Sequence, residues 1–237
     1  MTIAILAATY WEVRKTIQKL GLVLIQPKIY SGNCSQHKII LMLSGMGQKK
    51  AEESALQLVQ LKPDCLILTG FAGGLQPYVQ SGNVVVDSKT THPQLLQFFL
   101  KGNFHNIFTL YSGTFYCSPQ ILLKSSDKKN VGIQSGSIAV EMESSAVKNI
   151  CDQFSIPFGS VRSVSDTVDQ DLPSSLTSLD SSGSIHLKFL MKMMMSPKDW
   201  THFFYLKKSA QKAEVQLACF FEKWIQRIGE IKNEKFI

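Results

Sequence analysis

The sequence has no closely spaced cysteine pair. Its five cysteines, Cys34, Cys65, Cys117, Cys151 and Cys219, are odd in number and scattered, so neither a CxxC zinc site nor a CxxC redox motif is available. Cys65 and Cys151 lie among apolar residues, where a thiol behaves as a small hydrophobe, and a reducing cytoplasm is the simplest setting. Also missing are an internal repeat, a long low-complexity tract and an uncharged run fit to cross a bilayer. The longest uncharged stretch, Cys65 to Val86, contains four glycines, a proline, two glutamines and an asparagine. The early apolar run Ile3–Ala8 has no basic residue before it and Trp11-Glu12-Val13-Arg14 after it, which favours a buried first strand over a signal peptide.

What is present is ordinary globular composition. With 237 residues, 44% hydrophobic and 18% charged, the chain is expected to fold as one domain, 1–237, with a core large enough to need no disulfide or metal. The formal charge of +7 raises the question of nucleic acid. Its lysines are spread out, however, and those near the C-terminus alternate with apolar residues at helical spacing. They read as a solvated helix face, and no nucleic-acid motif accompanies them.

Hydrophobic periodicity predicts alternating strands and helices. Thr2–Ala8 is a strand, followed by a helix from about Trp11 to Leu20. Lys38–Ser44 is a strand, and Gly45-Met46-Gly47 leads into a helix over Lys49–Gln60. Cys65–Thr69 is a buried strand running into a glycine-rich loop, Gly70-Phe71-Ala72-Gly73-Gly74, and Asn83–Asp87 is another strand. Ser137–Met142 is a strand, Ser144–Phe154 a helix and Pro157–Val164 a strand that stops at Ser165-Asp166. Ser174–Ser184 reads as a loop, Leu187–Met195 as core or interface, and Trp200 to Ile228 as a long amphipathic helix. This order implies an α/β fold with a mostly parallel sheet covered on both faces.

In such sheets ligands bind beyond the carboxyl ends of the strands. That rule selects Glu12 after the first strand and the Gly70–Gly74 loop after the third. It also selects Glu141-Met142-Glu143 after Ser137–Val140, and Asp166 after Pro157–Val164. Each has a plainer reading: Glu12 as a first-turn glutamate favoured by the helix dipole, Glu141 and Glu143 as junction acids, Asp166 as a cap. Their shared placement at one sheet edge is the argument for a site. Gly45-x-Gly47 lacks the third glycine of the dinucleotide fingerprint, so nicotinamide binding is rejected.

Several blocks carry a family likeness. They are Ile3-Ala4-Ile5-Leu6-Ala7-Ala8 with Glu12-Val13, Leu43-Ser44-Gly45-Met46-Gly47, and Pro63-Asp64 with Thr69-Gly70-x-Ala72-Gly73-Gly74-Leu75. Gly82-Asn83-Val84-Val85-Val86, Ile138-Ala139-Val140-Glu141-Met142-Glu143-Ser144-x-Ala146 and Val161-Arg162-x-x-Ser165-Asp166 complete the set. In these the chain resembles the nucleoside phosphorylase/nucleosidase superfamily. Within it the nearest groups are the 5′-methylthioadenosine/S-adenosylhomocysteine nucleosidases and the futalosine-type nucleosidases.

The resemblance implies a three-layer α-β-α sandwich around a mixed, mostly parallel sheet. It implies a hydrolase that releases adenine from a 5′-substituted nucleoside, with no cofactor and no metal. The chain would then act as a cytoplasmic homodimer, with a small-molecule substrate and neither nucleic acid nor membrane as partner. Glu143 would accept hydrogen bonds from the ribose hydroxyls, with Met142 packed on the sugar and Glu141 beside them. Asp166 would be the general acid at the purine, flanked by Ser165. Glu12 would orient the attacking water, helped by Arg162. Phe71, Ala72 and Gly73 would line the substrate, and Phe115, Tyr116 or Cys117 would hold the base. Phe71 stands where the methylthioadenosine group usually has serine, which leaves the 5′-substituent open. Phosphorolysis and non-catalytic nucleoside binding are the alternatives.

Overall fold

The computed structural model describes residues 1–101, 107–173, 176 and 197–230. The segment Leu187–Met195 and nearly all of Ser174–Ser184 fall outside the described residues. The strands are β1 (Thr2–Ala7), β2 (Val23–Gln26), β3 (Ile29–Cys34), β4 (His37–Leu43), β5 (Cys65–Gly74), β6 (Val84–Asp87), β7 (Leu110–Gly113), β8 (Phe115–Cys117), β9 (Ala139–Glu141) and β10 (Phe158–Asp166). The helices are α1 (Tyr10–Lys19), α2 (Gln48–Val59), α3 (Pro93–Leu100), α4 (Ser125–Ser135), α5 (Ser144–Gln153) and α6 (Pro197–Glu230).

The sheet runs in the order β2-β3-β4-β1-β5-β10-β6-β7, with β9 paired to β5 and β8 to β9. Its centre is parallel, since β1 pairs in that sense with both β4 and β5, and β5 with β10. The β2–β3–β4 edge and the β10–β6 pair are antiparallel, so the sheet is mixed but mostly parallel at its core. Alternate residues of β1 show the layering. Ile3, Ile5 and Ala7 join α1, α3 and α6 in one apolar cluster. Ala4 and Leu6 join α2 and α5 in another. That alternation is what the period of two in a strand requires when helices cover both faces, and it makes the three-layer sandwich.

Three local readings differ from the structure. The hairpin β2–β3 was not anticipated: β2 carries the apolar run Val23-Leu24-Ile25, yet it is exposed along its whole length at the sheet edge. The glycine-rich segment after Thr69 is not a loop: β5 continues to Gly74. It can do so because β10 pairs with it as far as Gly73 and β9 pairs with Gly73 and Gly74, so its backbone groups stay within the ladder. Likewise β10 extends through Ser165 and Asp166. Cys65 and Cys151 are fully buried, and burial pushes their thiols up, that of Cys151 to about 12. They are inert packing residues.

Candidate active site

Glu12 sits in the first turn of α1, and its two oxygens do different things. Oε2 accepts hydrogen bonds from the Thr9 backbone N–H (2.7 Å) and hydroxyl (3.0 Å), which is the helix-terminal role expected of a glutamate there. Oε1 accepts the Phe71 N–H at 3.0 Å, which aims the carboxylate across β1 onto β5. One oxygen thus serves the helix start while the other faces β5. Burial raises the Glu12 carboxyl above its ordinary range. The Phe71 N–H and the Arg162 charge oppose that rise, while the Glu143 charge adds to it.

Room for this carboxylate comes from Gly70. Its φ is +142°, and a Cβ there would stand 2.5 Å from Glu12 Oε1 and 3.1 Å from Arg162 Nη1. Gly70→Ala is therefore expected to push the carboxylate aside and to lower kcat by about 10²-fold, the usual cost of a misplacement of about 1 Å. Steady-state kinetics on the purified variant checks this, and wild-type turnover would show that Glu12 need not hold its present place.

Arg162 lies on β10 opposite Gly70 and is 1% exposed. Its Nη2 donates to Glu141 Oε2 (2.8 Å) and Glu143 Oε2 (3.0 Å), while Nη1 reaches the Phe71 carbonyl at 3.4 Å. Burial opposes the guanidinium charge, but Glu141, Glu143 and Glu12 outweigh burial and hold it above its ordinary value. The described bonds of Arg162 thus go to the other two glutamates, so it acts on Glu12 through space. Glu141 accepts the backbone N–H groups of Glu143 and Ser144 (2.9 Å each) and the Ser144 hydroxyl (2.6 Å), in addition to Arg162, and so helps fix the start of α5 while lining the cavity. Glu143 keeps acceptor capacity, since Oε1 meets only the Gly47 N–H, at 3.2 Å.

Asp166 pairs with Gly73 across β5, three residues beyond the Arg162–Gly70 pair. At about 3.3 Å per residue that is roughly 10 Å along the strand. The register slips between Val164 and Asp166, a bulge that re-aims the side chain. Asp166 Oδ1 accepts the Ser165 hydroxyl at 2.6 Å. Its Oδ2 accepts a residue that sequence reasoning missed, Lys128, whose Nζ lies 2.5 Å away. Lys128 is wholly buried. It follows two serines and an aspartate in a helix without an apolar face, and nothing in that pattern separates it from a solvated lysine.

These groups line one cavity of about 270 Å³, which suits a small ligand, being near the low end of typical sites of about 300–1,000 Å³. Glu12, Glu141, Glu143, Arg162, Lys128, Ser165 and Asp166 supply its polar wall. Phe71, Ala72, Gly73 and Met142 line it as anticipated, with Met46, Leu172, Leu176, Leu206 and Ala210 completing an apolar lining. Phe115, Tyr116 and Cys117 do not line it. Phe115 packs on the apolar cluster of Ala72, Val85, Ile138 and Val164, and Cys117 meets Ser145 and Gln48. Gln120, Ile121 and Leu122 form that wall instead. The short β8 strand carries the earlier trio into the sheet by pairing with β9, and the chain reaches the cavity only after it. Among the described residues no cluster of His, Cys, Asp and Glu is arranged to hold a metal.

A mixed sheet with carboxylates gathered around a cavity of this size defines an α/β protein with a small-molecule site. The family's sequence model, described as the phosphorylase superfamily, matches residues 2–92 and 87–184. The chain belongs to that superfamily. It is 28% identical to the 5′-methylthioadenosine/S-adenosylhomocysteine nucleosidase of Buchnera aphidicola subsp. Schizaphis graminum, over 82% of this chain and 96% of the relative. Its fold is that of the Neisseria meningitidis nucleosidase of the same name, solved with methylthio-immucillin-A. That match has a TM-score of 0.68 and 19% identity, covering 94% of this chain and 99% of the other. Futalosine hydrolase of Helicobacter pylori superposes with a TM-score of 0.67 at 17% identity, over 94% and 98%.

Proposed function

We propose that this protein hydrolyses the N-glycosidic bond of an adenine nucleoside bearing a 5′-substituent. Candidate substrates are 5′-methylthioadenosine, S-adenosylhomocysteine and 6-amino-6-deoxyfutalosine. The observation that carries the reading is the separation of two kinds of carboxylate along β5. Glu12 stands at Gly70 beside Arg162, which also holds Glu143, and Asp166 stands at Gly73. Breaking the C1′–N9 bond sends its electron pair into the purine and leaves positive charge on the sugar. Glu143 accepts the ribose hydroxyls and Glu12 holds a water at C1′, where both anions favour the cationic sugar. Asp166 gives its proton to N7 as negative charge arrives there, while the water bonds to C1′ and passes a proton to Glu12. The products are adenine and the free ribosyl sugar, and solvent resets the two carboxyl groups.

Water is favoured over phosphate because the two cations lining the described cavity, Arg162 and Lys128, are already paired with carboxylates. A phosphate beside Glu12 and Glu143 would meet net repulsion. Chromatographic assay of adenine release from the three nucleosides, with and without phosphate, tests the reading. Release without phosphate is expected. A strict phosphate requirement would make the protein a phosphorylase, and binding without release from any substrate would make it a binder.

Glu12 must be ionised to take the proton from water, and its carboxyl is raised by burial. Activity is therefore lost as pH falls through a value above the ordinary carboxylate range. The acid limb of kcat/KM is expected there, and Glu12→Gln should abolish the limb along with most of the activity. An unchanged limb in that variant would assign it to another group. On the family resemblance we also propose that the chain works as one domain, 1–237, in a cytoplasmic homodimer, which light scattering tests. Among the described residues no helix is long and apolar enough to cross a membrane.

A further inference from the structure

Lys128 is a charged residue of the cavity wall with no part in the chemistry so far. A fully buried ammonium is costly unless each of its protons finds an acceptor, and here all three do. Nζ donates to Asp166 Oδ2 at 2.5 Å, to the Thr167 carbonyl at 3.1 Å and to the Gln170 carbonyl at 2.8 Å. With three donors and three fixed acceptors the ammonium cannot turn away, so one N–H stays aimed at Oδ2. Ser165 occupies Oδ1, and the carboxyl plane of Asp166 is thereby held at both oxygens.

The helix that brings Lys128 here is itself fastened to the same segment. At the start of α4, the Ser125 N–H donates to Asp171 at 2.8 Å, and the Leu172 N–H donates to the Leu123 carbonyl at 2.8 Å. Further along α4, Gly132 packs against the Leu75 carbonyl so closely that a Cβ would collide with it. These contacts set the distance from α4 to the end of β10. Lys124–Asp171 and Lys129–Asp169, on either side, are exposed pairs of the ordinary kind; Lys128–Asp166 is buried.

We propose that Lys128 is a positioning residue for the general acid. It orients the Asp166 carboxyl toward the base and offsets the negative charge that appears on it as the proton leaves for N7. The balance is simple. Asp166, a carboxylate in its pair with Lys128, takes up a proton from solvent before the transfer and returns to carboxylate as the purine gains that proton, while Lys128 keeps all three of its own. Because the charge on Asp166 grows during the transfer, the ammonium's contribution is larger in the transition state than in the bound substrate. The role rests on the hydrolase reading above.

The experiment compares wild type, Lys128→Met, Lys128→Arg, Asp166→Asn and the double variant Lys128→Met/Asp166→Asn, on the substrate that wild type cleaves best. Melting curves accompany the kinetics. Lys128→Met is expected to lower kcat by about 10²-fold with KM nearly unchanged, the pattern of an interaction made in the transition state. Lys128→Arg, which keeps a cation, should recover part of the loss. In the Asp166→Asn background the Met substitution should lower kcat no further, because Lys128 acts only through Asp166. The double variant removes both partners of the ion pair, so it decides the matter even if Lys128→Met alone fails to fold. A wild-type kcat in Lys128→Met, a rise in KM alone, or a further loss in the double variant each overturns the role. An active wild type with any of these results rejects Lys128 while leaving the function standing. A wild type that releases no adenine rejects both.

Discussion

Asp166→Asn is expected to lower kcat for adenine release by about 10²–10⁴-fold, the range contributed by a positioned general acid. Asparagine keeps the shape and can still accept a hydrogen bond at one position, so the substrate should bind with little change in KM. What it cannot do is donate a proton to N7 and end as an anion beside Lys128. The variant should also be less stable. It leaves a buried ammonium without its countercharge, and breaking a buried pair costs about 3–5 kcal/mol when nothing replaces it. The asparagine carbonyl replaces part of the interaction, which puts the expected loss toward the low end. Urea midpoints measure the stability change and single-turnover assays measure the chemical step. Undiminished turnover would remove Asp166 from the proton-transfer step.

Arg162→Met is expected to have the largest effect on stability. The guanidinium is buried between Glu141 and Glu143, at 2.8 and 3.0 Å, with Glu12 close by. Without it, three buried carboxylates face one another with no countercharge. A loss of about 3–5 kcal/mol is the usual scale for such a break. For a chain of this length each kcal/mol shifts the melting point by about 2–4 °C, so a drop of roughly 6–20 °C is expected. Arg162→Lys should recover only part of this, because an ammonium lacks the planar fork that lets a guanidinium span two carboxylates. Thermal melts at neutral pH check both variants. A Met variant as stable as wild type would mean that the carboxylates take up protons or find another cation.

Much of the fold was legible before any coordinates. β1 and the first half of β5 are short apolar runs with turn residues around them, and burial on both faces makes such runs continuous. The amphipathic stripe of α6 was equally clear, and its Leu217, Phe220, Phe221 and Trp224 fill the core against α1 and α3. The β2–β3 hairpin was missed although Val23-Leu24-Ile25 is an apolar run; that this run lies exposed at the sheet edge rather than in the core is a tertiary fact. The glycines after Thr69 were misread as a loop because single-sequence reasoning treats them as breakers. Paired by β10 as far as Gly73 and by β9 at Gly73 and Gly74, they are strand residues, and the missing side chain of Gly70 leaves space for Glu12.

The same division runs through the site. The sequence by itself put Glu12 and Asp166 toward the carboxyl ends of strands that pair in parallel, β1 and β10 with β5. Glu143 follows β9, which runs antiparallel to β5, so its arrival beside them is a matter of tertiary structure. It also set the apolar and glycine positions that make the edge concave. Only the tertiary structure decided what each carboxylate meets. Glu141 became a fixture of α5, and Arg162 became the counter-ion of Glu141 and Glu143. Lys128, 38 residues from Asp166 in the chain, became the partner of the acid. The physical reason is that a charged side chain has no fixed meaning in sequence. Its role follows from what desolvates it and which charge is brought opposite, and both are properties of packing between distant segments.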